Sequence, residues 1–210
     1  MDKLLIHGGK KLNGKLKIKS AKNAVLPILS ACLLCDGVVE LDNIPKLSDI
    51  DNMCNILRSM GANVCQQKDK IIVDSSNITS TVLPSELTQK LRASFFVLGS
   101  LLSRKKTAKI SYPCGCNIGN RPIDIHLAGL KALGVQIDEN HGFICCDGKD
   151  MKAGKFYLRF PSVGATENLM LASVFTKGET IIQNCAKEPE IVDLQNFLNK
   201  MGAKVSGAGS

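Results

Sequence analysis

Apolar residues recur at helical spacing in three stretches of the chain, and each stretch ends at a glycine. These glycines are Gly61, Gly134 and Gly202, so the pattern has a period of roughly 70 residues. An isoleucine stands eleven positions before each glycine and a leucine stands four positions before it. Glycine just past the last apolar position is a common helix stop. An apolar residue follows three positions after each glycine, and it predicts a strand that opens at Val64, Ile137 or Val205.

A second set of helices repeats with the same period. Residues 24–35, 93–102 and 166–175 are apolar and rich in small side chains, which is typical of helices buried against other helices. A turn and a short strand follow each one. The strands are predicted at 38–41, 108–111 and 180–183, and further strands at 71–73 and 143–145. The pattern therefore predicts an α/β fold of three repeated units, with apolar helices inside and sheets outside.

The start of the chain has a different pattern. Residues 4–6 are all apolar, and apolar residues alternate with lysines towards the end of residues 12–18, so both segments are predicted to form short strands. A His-Gly-Gly sequence lies between them. His-Gly-Gly also occurs in the oxyanion holes of lipase-like enzymes, but no Gly-x-Ser-x-Gly motif accompanies it here. A tight turn between two strands is therefore the favoured interpretation.

Composition excludes several classes of function. Hydrophobic residues make up 44% of the 210 positions and no apolar run is long enough to span a bilayer. No segment resembles a signal peptide, so nine cysteines indicate reduced thiols in a cytoplasmic protein. The net charge is +8, but the lysines are scattered, aromatic residues are only 4% and tryptophan is absent. A nucleic-acid partner is therefore not expected, nor is a membrane.

A loop rich in glycine and asparagine, residues 113–120, carries Cys114 and Cys116 and leads into a helix predicted to begin at Arg121-Pro122. A helix N-terminus attracts anions, and together with an arginine it lowers the pKa of a nearby thiol. Two other interpretations remain open. The thiols are inert, or they bind zinc with Cys145-Cys146, although neither pair has the usual spacing of zinc ligands.

The first helices of the three units begin with related segments. Residues 20–23 (SAKN) and 91–94 (LRAS) each contain a cation, and residues 162–166 (SVGAT) are small enough for their N–H groups to approach a phosphate. Ordinary capping by Ser, Asn or Thr explains any one of them. Their equivalent placement in three units favours a shared anion site.

The same segments carry a resemblance to a known family. Residues 116–126 (CNIGNRPIDIH) resemble the active-site loop of the UDP-N-acetylglucosamine 1-carboxyvinyltransferase family of enolpyruvyl transferases. Residues 20–29, 91–94, 162–166 and 188–193 resemble that family in the same order, so the resemblance covers essentially the whole chain. It implies an inside-out α/β barrel, with residues 1–20 as opening strands of a split partner domain and residues 21–210 as the three-unit domain. We expect the last unit to be incomplete and a C-terminal domain to be missing.

The resemblance also implies a reaction and its residues. The family transfers the enolpyruvyl group of phosphoenolpyruvate to the 3′-hydroxyl of UDP-N-acetylglucosamine, an early step of peptidoglycan synthesis, without a metal or organic cofactor. Cys116 would be the general acid, and Lys22 and Asn23 would contact phosphoenolpyruvate. The UDP-sugar would be held by the following residues: Arg92, Arg121, Pro122, Ile123, Asp124, Ile125, Ser162, Val163 and Gly164.

Two departures from the family pattern and two alternative functions accompany this assignment. Cys114 stands where the family often has glycine, and Phe160 stands where some members have lysine, with Arg159 beside it. A relative acting in the shikimate pathway and a non-catalytic half that only binds a UDP-sugar are the alternative functions. The Cys116 loop argues against the first, and the expected lack of a second domain leaves the second open.

Overall fold

The computed structural model describes residues 3–112 and 123–210 of the protein. The first unit consists of α1 (Lys22–Ala31), β1 (Val38–Leu41), α2 (Ser48–Ser59), β2 (Asn63–Gln66) and β3 (Ile71–Asp74). A short helix, α3 (Ser85–Thr88), leads to the second unit, which consists of α4 (Phe96–Lys105), β4 (Thr107–Ser111), α5 (Asp124–Ala132), β5 (Gln136–Asn140) and β6 (Phe143–Asp147). The third consists of β7 (Lys155–Tyr157), α6 (Val163–Ser173), β8 (Ile181–Gln183) and α7 (Pro189–Lys200). Two 3₁₀ helices, Cys32–Leu34 and Arg92–Phe95, extend α1 and precede α4.

The sheets of the first two units have the same topology. Their strand orders are β1-β3-β2 and β4-β6-β5, and every pair is antiparallel. In both sheets the strand after the first helix pairs with the last strand, so Val38 faces Asp74 and Thr107 faces Asp147. The third sheet differs because β7 pairs with β8 in parallel. Strand β7 was not predicted, since its three residues are too few to show a period.

The helices α1, α4 and α6 form the centre of the domain. Every residue from Ala165 to Ala172 of α6 is buried, which is typical of a helix surrounded by other elements. Leu29 of α1 and Leu98 of α4 are fully buried, and the hydroxyl oxygens of Ser30 and Ser100 lie 3.0 Å apart between these two helices. Apolar helices therefore lie inside and sheets outside, which confirms the predicted inside-out α/β barrel.

The three helix-ending glycines adopt the predicted left-handed conformation. Their φ angles are +100° at Gly61, +90° at Gly134 and +99° at Gly202. A Cβ at Gly61 would lie 2.6 Å from the carbonyl oxygen of Asn77, so backbone conformation and space both require glycine there.

The strand predicted at Val205 is wrong for the described residues. In the first two units the equivalent strands, β2 and β5, pair with a further strand of the same unit. The described part of the third unit contains no such partner strand. The backbone of Val205 is instead held by the side chain of Asn199, which accepts from its N–H at 2.7 Å and donates to its carbonyl at 2.8 Å.

The two strands predicted before residue 20 are also wrong for this structure. Residues 3–20 form no strand, and their apolar side chains are exposed, with Leu12 97% exposed. A strand needs backbone partners from a neighbour, and no described segment pairs with these residues. Their assignment to a split partner domain stays a prediction. Among the described helices, none is long and apolar enough to cross a membrane.

Candidate functional site

The three central helices begin at one cavity of about 460 Å³. Lys22 is the first residue of α1, Arg92 is the first residue of the 3₁₀ helix before α4, and Val163 is the first residue of α6. All three line this cavity, because equivalent positions of a threefold repeat meet at the same end of the barrel. Positive helix ends and two cations therefore surround a single concave space, which favours binding of an anion.

Capping by side chains explains only one of these three helix starts. The hydroxyl of Ser162 accepts a hydrogen bond from the N–H of Ala165 at 3.3 Å. At the other two starts, the N-cap residues Ala21 and Leu91 make no side-chain cap hydrogen bond. Side-chain capping therefore does not explain why Lys22 and Arg92 stand at these two helix starts.

Lys22 is held in place by an acidic side chain of α2. Its ammonium Nζ lies 2.6 Å from Oδ2 of Asp49, and both side chains are partly exposed. An ion pair this exposed contributes little to stability. Its effect is on position, since it orients the ammonium group at the wall of the cavity.

His126 lies in the wall of the same cavity. Its ring is buried, contacts the Phe95 ring edge-on at a centroid distance of 5.0 Å, and places Nδ1 3.2 Å from the amide nitrogen of Asn168. Burial, together with the nearby charge of Arg92, lowers the pKa of His126 from 6.5 to about 4. The imidazole is therefore neutral at neutral pH.

Gly164 provides the space for the His126 ring. A Cβ at this position would lie 3.2 Å from Cε1 of the imidazole. Glycine in the first turn of α6 thus allows the ring and the helix N-terminus to border the cavity together.

Acidic residues form another part of the wall. Glu167 and Glu190 both line the cavity, and Glu167 is only 1% exposed. The pKa of Glu167 is raised to about 8, mainly by burial and also by the negative charges of Glu190 and Glu188. Among the described residues, Oε1 of Glu167 has no hydrogen-bond partner.

The structure brings together most of the predicted site residues that it describes. The following predicted residues line the cavity: Lys22, Asn23, Arg92, Ile123, Val163 and Gly164. Ser162 is the residue directly before Val163 in the chain.

Two other predicted residues, Asp124 and Ile125, do not line this cavity in the described structure. Asp124 forms a salt bridge with Arg159, and Ile125 packs against the hydrophobic core. Helix α5 begins at Asp124 with Ile123 as its N-cap, so the predicted start at Arg121 was too early. Cys114 and the predicted site residues Cys116, Arg121 and Pro122 lie outside the described residues.

Sequence reasoning missed several side chains of the cavity. The sequence alone does not assign His126, Asp49 or Glu190 to the site, since an inward-facing residue of a buried helix is an equally good interpretation of His126. Glu167 did have a detectable feature in the sequence, since it is a charged residue inside the longest apolar helix pattern of the third unit. Charged residues in such positions are rare without a specific role.

Metal binding has no support among the described residues. They contain no group of three or more His, Cys, Asp or Glu side chains arranged to hold an ion. The seven described cysteines are free thiols. Cys145 and Cys146 are neighbours on β6, and burial raises the pKa of the Cys146 thiol to about 12, so this thiol is protonated at neutral pH.

The chain is similar to known enolpyruvyl transferases. Residues 6–210 match the EPSP synthase (3-phosphoshikimate 1-carboxyvinyltransferase) family. UDP-N-acetylglucosamine 1-carboxyvinyltransferase 2 of Carboxydothermus hydrogenoformans is 51% identical over 210 residues, which are 100% of this chain and 50% of that protein. The enzyme of the same name from Clostridium tetani is 50% identical over 212 residues, covering 100% of this chain and 51% of its own length. The chain thus spans about half the length of these curated relatives.

Solved structures show the same fold. The enolpyruvyl transferase NikO from Streptomyces tendae has a TM-score of 0.82 at 21% identity, over 96% of this chain and 47% of that one. EPSP synthase from Acinetobacter baumannii has a TM-score of 0.70 at 17% identity, over 93% of this chain and 45% of that one.

Proposed function

The chain belongs to the EPSP synthase family, and on that premise we propose that its cavity is part of the active site of a UDP-N-acetylglucosamine 1-carboxyvinyltransferase. Such an enzyme transfers the enolpyruvyl group of phosphoenolpyruvate to the 3′-hydroxyl of UDP-N-acetylglucosamine and releases phosphate, the first committed step of peptidoglycan synthesis. The observation that carries the proposal is the convergence of Lys22, Arg92 and the N-terminus of α6 on one cavity. Relatives about half identical to the chain support the choice of substrate.

The proposed roles follow the charges around the cavity. Lys22 and Asn23 bind the phosphate and carboxylate of phosphoenolpyruvate, since they stand at the uncapped start of α1. The N–H groups at Ser162, Val163 and Gly164 bind the diphosphate of the UDP-sugar, and Arg92 supplies a second cation. Residues 121–125 hold the uridine end.

Cys116 is the proposed general acid. In this scheme its thiol donates a proton to C3 of phosphoenolpyruvate while the sugar oxygen bonds to C2 and gives its proton to a base. A tetrahedral intermediate forms. Loss of a proton from C3 then restores the double bond and expels phosphate from C2. No step in this sequence requires a metal or a redox cofactor.

The proposal includes a second domain as a partner. The chain spans about half of its relatives' length, and the resemblance assigns the base and further arginines to the other domain. We propose that these 210 residues alone hold the UDP-sugar but do not turn it over. The proposal also places the reaction in the cytoplasm, where both substrates occur.

Two alternatives remain, and they differ from the proposal in the ligand that the cavity binds or in whether turnover follows binding. An enzyme of the shikimate pathway would bind 3-phosphoshikimate, the substrate in the name of the matched family. A half that only binds would hold UDP-N-acetylglucosamine and remain inactive after a second domain is supplied.

The deciding experiment is titration calorimetry of the chain with UDP-N-acetylglucosamine and, separately, with 3-phosphoshikimate. Replacing a cation that binds a phosphate removes about 1.5–3 kcal/mol, so Arg92→Ala is expected to weaken UDP-sugar binding by roughly tenfold or more. Lys152→Ala is the control, because it removes one positive charge from an exposed position outside the cavity. Tighter binding of 3-phosphoshikimate, or equal affinities of the Arg92→Ala and wild-type chains, would contradict the proposed substrate.

The role of Cys116 has its own test. The epoxide fosfomycin is expected to alkylate Cys116 in the protein that also contains the second domain, with UDP-sugar bound, because the reactive thiol is the acid that faces the enol carbon. Peptide mass mapping identifies the modified residue. An adduct on Cys114 would move the proposed acid to that residue.

A further inference from the structure

Glu167 is a buried acid in the wall of the cavity that the proposed mechanism does not use. It lies in α6 between Thr166 and Asn168, in a segment with no exposed residue, and its own side chain is 1% exposed. It nevertheless lines the cavity. Among the described residues it forms no salt bridge, and its Oε1 has no hydrogen-bond partner.

The charged groups that act on Glu167 come from the start of α7, and they are negative. From α7, Glu188 and Glu190 act on it. The other titratable groups of the cavity are Lys22 of α1, Asp49 of α2, Lys90 and Arg92 before α4, and His126 of α5.

No positive charge is among the causes that shift the pKa of Glu167, which are burial and the carboxylates of Glu190 and Glu188. Asp49 pairs with Lys22 at 2.6 Å, and His126 is neutral because burial holds its pKa at about 4. An ionised Glu167 would be a third carboxylate beside Glu188 and Glu190, on a side chain that is almost fully buried. Burial and like charges both favour the neutral carboxyl.

We propose that Glu167 carries a proton in the wall of the cavity and that this proton couples the binding of anionic ligands to pH. A phosphate or diphosphate bound near Lys22, Arg92 and the start of α6 favours the neutral carboxyl, whereas the ionised carboxylate repels the ligand. The coupling is reciprocal, since a ligand that binds the protonated form more tightly must also raise the affinity for the proton. This inference rests on the proposed function, because it takes an anionic substrate as the occupant of the cavity.

The expected behaviour follows from the sign of this coupling. The pKa of Glu167 is raised to about 8, so below that pH the carboxyl is already neutral and binding takes up no proton at this residue. Above about pH 8 the ligand must bind together with a proton, and affinity falls by up to roughly tenfold per pH unit. Glutamine keeps the shape of the side chain and cannot ionise, so Glu167→Gln is expected to lose this part of the pH dependence.

The test is calorimetric titration of the chain with UDP-N-acetylglucosamine at about pH 7 and about pH 9, in buffers of different ionisation enthalpy. For the wild type we expect affinity to fall several-fold more between these pH values than for Glu167→Gln. Proton uptake near pH 8 should occur in the wild type and be absent in Glu167→Gln. Glu179→Gln is the matched control, because it removes an acid from an exposed position outside the cavity and should behave as the wild type does. Equal pH dependence of the wild type and Glu167→Gln would overturn the proposal.

Two further measurements separate this inference from the proposed function. Infrared difference spectra of the ligand-free chain between about pH 7 and pH 9 should contain a protonated carboxyl band that Glu167→Gln lacks, and absence of that band overturns the proposal. Pyrophosphate serves as a second probe that needs no sugar recognition. Binding of pyrophosphate with the expected pH dependence, but not of UDP-N-acetylglucosamine, would support the coupled proton and contradict the proposed substrate. Failure of both anions to bind would overturn both.

Discussion

The side-chain amide nitrogen of Asn168 lies 3.2 Å from Nδ1 of His126, and this contact joins α6 to α5 in the wall of the cavity. An amide nitrogen only donates, so Nδ1 must accept and the remaining proton of the neutral ring is on Nε2. Asn168 is fully buried. Protonation of His126 would therefore place two buried donors against each other.

His126 is expected to make the protein sensitive to acid. Its pKa is lowered from 6.5 to about 4 in the folded protein, so folding releases protons in this range and stability is lost as the pH falls below about 6.5. The loss between pH 7 and pH 4.5 should be about 2 kcal/mol. Urea unfolding of the wild type and of His126→Gln at these two pH values measures it. His126→Gln should have a lower free energy of unfolding than the wild type at pH 7, but this free energy should fall less between pH 7 and pH 4.5. Equal falls in the two proteins would contradict a lowered pKa of His126.

Arg104 at the end of α4 is expected to be important for stability, although it lies away from the cavity. Its Nη1 donates to the carbonyl oxygens of Leu33, Cys35 and Ser75 at 2.9, 2.9 and 2.7 Å, and its side chain is 14% exposed. Arg104→Met leaves these carbonyl groups without a donor and should destabilise the protein by about 2–4 kcal/mol in chemical denaturation. Asp36→Asn is the control. Asp36 also pairs with Arg104 but is 84% exposed, so its loss should stay within about 0.5 kcal/mol.

The periodic features of the fold were predictable from the sequence. Gly61, Gly134 and Gly202 share a local requirement, a left-handed backbone after a helix, and local requirements appear directly in the sequence. Lys22 lies 39 residues before Gly61 and Arg92 lies 42 residues before Gly134, so each stands near the start of the first helix of its unit. Their meeting at one cavity then followed from the repeat itself.

Features that depend on a distant partner were not predictable in the same way. Residues 12–18 and Val205 have the apolar pattern of strands, but a strand forms only where a neighbouring strand accepts its hydrogen bonds. The role of His126 and Glu167 also depends on distant contacts. Whether a polar residue on a buried helix faces the core or a cavity is decided by which residues of α5, α6 and α7 meet there.

The close packing of α4 against α6 should make glycine necessary at position 99. A Cβ on Gly99 would lie 2.3 Å from Oδ1 and 2.5 Å from the backbone oxygen of Asn168. Gly99→Ala must therefore move the two helices apart, and we expect a loss of about 2 kcal/mol despite the better helix propensity of alanine. Gly154→Ala is the matched control because no atom lies within 4 Å of its added Cβ, and it should change the unfolding free energy by less than about 0.5 kcal/mol. A Gly99→Ala protein as stable as the Gly154→Ala protein would show that α4 and α6 do not pack this closely.

Glu167→Gln is expected to stabilise the protein at alkaline pH. In the wild type the pKa of Glu167 is raised from 4.5 to about 8, so folding is not penalised by this residue below about pH 4.5. The penalty grows as the pH rises and is complete above about pH 8, because the unfolded chain ionises the carboxyl freely and the folded protein does not. Glutamine cannot ionise, so the advantage of Glu167→Gln over the wild type should increase between pH 5 and pH 8.5, by on the order of 3 kcal/mol. Urea unfolding at both pH values measures this change, with Glu179→Gln as the exposed control. An advantage that stays constant with pH would mean that the carboxyl of Glu167 ionises equally well in the folded and unfolded protein, and that Glu188 and Glu190 do not act on it.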